Sequence, residues 1–146
     1  MKLSLFALIF CVAAGFACDE KDKLKQEQQK LAGTWKVKSA ELGGKAMSAE
    51  LTKSWSLTLT DDKYIVMVGT MKDEGSVTID LEKSPPTMDI KGENGPNKGK
   101  TMLAIYELKD DTLKVCYDLA GKTRPTEFES KADSKRFFVT YTREKK

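Results

Sequence analysis

From Gly33 to its end the chain is a succession of short runs in which apolar side chains recur at every second position, each closed by a turn signal. Trp35, Val37 and Ser39 share one face of the first run. A turn follows at 41–45, then a short helical turn at 48–51 with Ser48 as its cap. Residues 54–60 alternate almost perfectly, and Asp61-Asp62 turns them into 63–68, which is apolar on both faces. Further strands are predicted at 75–80, carrying Val77 and Ile79, and at 87–91, carrying Met88 and Ile90. After a polar loop at 92–100 come strands at 101–109 and 112–118, joined by Asp110-Asp111. An irregular stretch at 121–130 leads to the last strand, 135–143, with Phe137, Val139 and Tyr141 on one face. Between these runs no helical pattern is long enough for a parallel crossover. Eight short strands joined by turns therefore predict an all-β, antiparallel up-and-down barrel. Closure at eight strands removes exposed edges and leaves an interior that side chains fill or that holds one small ligand.

The first 17 residues read as an address. Lys2 precedes an apolar run from 3 to 17 that is too short for a membrane span of about 20 residues, and Gly15-Phe16-Ala17 is a small-x-small cleavage site. The chain divides into a signal peptide at 1–17, a polar helical lead-in and tether at 18–30, and one barrel domain at 31–146. Cleavage after Ala17 places Cys18 first, which resembles a bacterial lipoprotein, whose first thiol takes a diacylglyceryl group. Gly15 stands where that pattern has Leu, so a tethered and a freely secreted form both stay open. Either form is expected outside the cytoplasm: secreted, periplasmic or held at the cell envelope.

The sequence holds 25 Lys+Arg against 22 Asp+Glu and no His. The small excess excludes the clustered basic surface of a nucleic-acid-binding domain. The missing imidazole removes the commonest general base and metal ligand together. With no activated cysteine and no serine elbow either, the expectation is a non-catalytic protein with no cofactor and no metal. Cys116 reads as a small buried hydrophobe. Gly95-Pro-Asn-Lys-Gly-Lys-Thr101 is one residue short of a phosphate-binding loop and opens a strand rather than a helix, so it reads as a polar interstrand loop. The paired aspartates at 61–62 and 110–111 read as turn residues.

Leu31-Ala-Gly-Thr-Trp35 resembles the opening of lipocalin-type barrels, with a Gly-x-Trp on the first strand. Further motifs bring the chain close to the lipocalin-like small domains, often secreted and of unknown function, that recur in planctomycete proteins. They are Gly44-Lys45, Gly95–Thr101, Ile105-Tyr-Glu-Leu108, Asp111-Thr-Leu113 with Cys116, Arg124-Pro-Thr-Glu-Phe128 and Arg143-Glu-Lys-Lys146. Ala104 departs from the family's Gly before Ile-Tyr. The resemblance covers about residues 29–146 and implies that Arg143, on the last strand, packs over Trp35 and closes one barrel end. It lends no ligand.

The candidate ligand-binding residues are Arg124, Phe128, Trp55 and Tyr106. Arg124 is a candidate for an anionic group at the barrel mouth, or for an ion pair with Glu127 that pins its loop. Met67, Met71, Met88 and Met102 are adaptable side chains that could line a pocket or fill a core. Two functional readings follow. One is a monomeric extracytoplasmic binding protein for a small apolar or amphipathic ligand. The other is a filled barrel that contacts another envelope protein. An open interior favours the first.

Overall fold

The computed structural model of the chain describes residues 14–145. Of the predicted signal peptide at 1–17, residues 1–13 lie outside the described residues, and so does the side chain of Cys18. Helix α1 (Ala14–Leu31) is followed by β1 (Gly33–Leu42), β2 (Lys45–Ala46), α2 (Ala49–Thr52), β3 (Trp55–Thr60), β4 (Lys63–Val68), β5 (Met71–Asp80) and β6 (Thr87–Asn94). The chain ends with β7 (Thr101–Lys109), β8 (Thr112–Asp118) and β9 (Arg136–Arg143). Every neighbouring pair is antiparallel, and β1 pairs with β9 as well as with β3. The eight long strands therefore close into an up-and-down barrel, with the two-residue β2 hung on the edge of β1.

The predicted strands are found, with three shifts of more than one residue or of face. β5 starts at Met71 rather than Gly75, and β6 runs on to Asn94. The third shift moves a face: the β1–β9 register slips between Val37 and Ser39. This bulge inserts Lys38 without a partner, so Ser39 turns outward and Ala40, 3% exposed, takes the inward place. A strict period of two cannot anticipate such an insertion. The lead-in is longer than the predicted polar stretch, because α1 begins at Ala14. Among the described residues, no helix is long and apolar enough to cross a membrane.

The two barrel ends differ. The Asp61-Asp62 and Asp110-Asp111 turns lie at the same end as α1. Asp61 and Asp110 adopt positive φ (40° and 53°), a conformation Asp tolerates better than most residues. Here Leu31 is buried and Leu24 packs against the core cluster. Trp35 is fully buried, and its indole N–H donates to the Leu31 carbonyl at 2.9 Å. The Arg143 guanidinium lies 4.2 Å from the Trp35 ring centroid. Its Nη1 donates to the Ala32 carbonyl at 2.7 Å and its Nη2 to the Lys30 carbonyl at 2.6 Å. A cation placed on the last carbonyls of a helix satisfies acceptors that the helix leaves open. Arg143 thus joins the last strand, the first strand and α1. The α1 end also carries the 81–86 connection, and the opposite end carries those at 43–54, 69–70, 95–100 and 119–135.

Candidate functional site

Alternation sends every second side chain of each strand inward, and near the α1 end these fill the barrel. Toward the opposite end they leave a cavity of about 170 Å³. Val37, Trp55, Leu57, Val66, Met88 and Phe137 contribute to its wall, which is mostly apolar. Met71 and Leu119, two of the more exposed large hydrophobic residues, stand at its mouth. Trp55 packs edge-on against Phe137 across the rim, with ring centroids 6.3 Å apart.

Two hydrogen-bonded polar clusters interrupt this apolar lining. At the mouth, the buried Asp73 carboxylate accepts from the Tyr64 hydroxyl (2.9 Å), the Asn97 backbone N–H (2.9 Å) and the Asn97 side-chain amide (2.8 Å). Asp73 therefore ties the 95–100 loop to β4 and β5. That loop is the polar glycine-containing motif of the sequence, and its contact with Asp73 gives it a structural role. Burial, then the neighbouring Asp73 carboxylate, raises the Tyr64 pKa above its ordinary value of 10.0.

Deeper in the barrel the Tyr117 and Tyr141 hydroxyls meet at 3.2 Å. They belong to β8 and β9, with the Val115–Val139 pair between them in the register. Burial pushes the Tyr141 phenol up to about 12 and the Tyr117 phenol well above the ordinary 10.0. Both are neutral hydrogen-bonding groups at physiological pH. Sequence reasoning did not single out this pair. Its signal was two inward-facing tyrosines on adjacent strands, with only small valines between them.

The four candidate ligand residues do not come together. Trp55 lines the cavity. Tyr106 shares the inward parity but sits at the α1 end, 1% exposed, with its hydroxyl donating to Glu27 at 3.2 Å. It is part of the plug. Arg124 and Phe128 lie outside the barrel wall, because the 119–135 connection folds back over the outer face. Arg124 donates to the Ala104 carbonyl at 2.9 Å and pairs with Asp89 of β6 at 2.6 Å. Its loop is pinned, but by Asp89 rather than by Glu127, which pairs with Lys131. Phe128 packs on the outward-facing Phe138, centroids 6.2 Å apart. Of the methionines, Met71, Met88 and Met102 line the cavity. Met67 faces outward. Cys116 is fully buried beneath the same loop, and desolvation raises its thiol pKa above 9.0.

The described residues hold no group of three or more Cys, Asp or Glu arranged around a common metal position. No protein-family model, curated protein or solved structure matches the chain. What the fold and site define is a closed β-barrel with an apolar interior cavity, plugged at one end and reached from the other.

Proposed function

We propose that this chain is an extracytoplasmic, lipocalin-like binding protein that holds a small apolar or amphipathic molecule in its barrel and carries out no reaction. The observation that supports this reading is the cavity of about 170 Å³, apolar and open at the rim formed by Trp55, Phe137, Met71 and Leu119. A concave apolar site with a few fixed polar groups is the usual form of a small-molecule pocket. A cavity of roughly 150 Å³ lined by aliphatic and aromatic side chains takes up benzene, so a single ring or a short branched chain fits inside. A longer molecule would extend through the mouth.

The leader pattern at 1–17 supports export, and Cys18 supports a lipid tether at the envelope. The intact mass of the mature chain tests both: loss of 17 residues supports export, and an added diacylglyceryl mass supports the tether. Binding is tested by native mass spectra of protein purified gently from its own source, beside its unfolding midpoint in saturating toluene. Non-covalent mass that leaves on denaturation, or a raised midpoint, supports a carrier. Bare polypeptide mass together with an unmoved midpoint would replace it with the filled-barrel reading, in which the surface meets another envelope protein.

A further inference from the structure

The Tyr117–Tyr141 pair gives the cavity a chemical preference. Each phenol carries one hydrogen. The bond between them at 3.2 Å uses one of the two. The other hydroxyl hydrogen has no protein acceptor among the described residues, and both rings line the cavity. A buried donor without an acceptor is costly, so an oxygen brought by a ligand gains an unusually favourable bond there. Charge narrows the class further. Among the described residues the lining contains one carboxylate, Asp73, and neither Lys nor Arg. An anion inside would lose its hydration, find no cation, and face Asp73.

From these observations we infer that the cavity selects small neutral molecules bearing one acceptor oxygen, such as an aryl ketone, and rejects carboxylates of the same shape. The inference rests on the barrel cavity being the binding site. The ligand's apolar body packs on Trp55, Met88 and Phe137, and its oxygen accepts from the tyrosine pair. Either tyrosine alone still offers a donor, because each keeps its own hydroxyl hydrogen. Only loss of both removes the preference.

Three probes of matched shape test this by calorimetric titration at pH 7: acetophenone, ethylbenzene and benzoate. Wild type is expected to bind acetophenone roughly three- to tenfold more tightly than ethylbenzene, the range of one neutral hydrogen bond. Benzoate is expected to bind at least about 100-fold more weakly than acetophenone. The double variant Tyr117→Phe/Tyr141→Phe should bind ethylbenzene as wild type does and lose the preference for acetophenone. Each single variant should keep it. Retained ethylbenzene binding also shows that the double variant is folded. If the variant fails to fold, the wild-type ranking decides alone. Equal affinity for all three probes would overturn the selectivity and leave the carrier reading standing. Failure of every probe to bind would overturn both. A double variant that still prefers acetophenone would remove the tyrosine pair as its source.

Discussion

Arg143→Met tests how the closed barrel end is held. The substitution keeps an unbranched apolar stem and removes the guanidinium. Lost with it are the bonds to the Ala32 and Lys30 carbonyls at 2.7 and 2.6 Å and the stacking on Trp35 at 4.2 Å. The Asp111 pair at 3.1 Å is also lost, but that carboxylate is 60% exposed and the pair adds little. The Arg143 side chain is itself 27% exposed, so each charged hydrogen bond is discounted for solvent screening to about 1 kcal/mol. The cation–π contact adds about 1 kcal/mol. The sum is about 3 kcal/mol, which in a domain of this size lowers the unfolding midpoint by roughly 10 °C. Circular dichroism follows the midpoint. A Trp55→Phe background leaves Trp35 as the reporting indole, whose emission should shift to the red as water reaches it. Arg143→Lys should recover less than half of the loss, because a point charge on a flexible stem cannot hold both carbonyls and cover the ring. A midpoint drop below about 3 °C for Arg143→Met, or a Lys variant equal to wild type, would refute the reasoning.

Four further outcomes follow from the same structure. In Gly75→Ala, the new methyl would stand 2.0 Å from the Lys91 carbonyl oxygen, within the β5–β6 bulge. Urea unfolding should show a loss of about 3 kcal/mol or more, whereas Gly69→Ala, with positive φ but open space, should lose only about 1 kcal/mol. Asp73→Asn should speed amide exchange at 95–100 by about tenfold or more while leaving β8 and β9 protected; unchanged exchange would mean the loop does not depend on this carboxylate. Burial of Asp118 raises its pKa, but backbone N–H groups of Thr123, Lys122 and Ala120, helped by Arg136, outweigh that and hold it below 3.8. Its stabilising share is therefore complete above the unfolded value and lost as pH falls through the folded one, so Asp118→Asn should flatten the acid side of the stability curve below about pH 4; a parallel curve would assign acid sensitivity elsewhere. Cys116, buried and with a raised thiol pKa, should alkylate in native protein only as fast as the barrel opens, so peptide mapping at rising urea should track global unfolding.

Strand placement is legible in this sequence because half-buried strands impose a period of two. β4, β7 and β8 coincide with the predicted runs, and β3 and β9 differ from theirs by one residue. The Trp35–Arg143 contact is legible because both residues share the inward parity of strands that must meet for the barrel to close. Height along the barrel is different. Trp55 and Tyr106 are both inward-facing, yet one stands at the rim and the other in the plug, since register across eight strands, not alternation, sets the level. The path of the 119–135 connection is likewise a matter of long-range contacts. Nothing local to Arg124 indicates that it reaches the Ala104 carbonyl and Asp89, or that Phe128 covers Phe138 outside the wall.

The unequal ends also explain how one small domain can be stable and still keep an open cavity. The contacts that lock the closure, from Trp35, Arg143, Leu31, Tyr106 and Glu27, all gather at the α1 end. Wall residues near the mouth, such as Trp55 and Phe137, are only partly buried, and Met71 is 48% exposed. Truncating these costs less transfer free energy than truncating a fully buried core side chain. Shape and polarity at the mouth can therefore vary with little loss of stability, while the plug cannot. The Tyr117–Tyr141 pair sits between the two regimes: it is buried, yet it belongs to the cavity wall. A substitution there changes what the barrel holds more than whether it stands, so a Tyr117→Phe/Tyr141→Phe variant that keeps its unfolding midpoint but loses its preference among ligands is the outcome this division of labour requires.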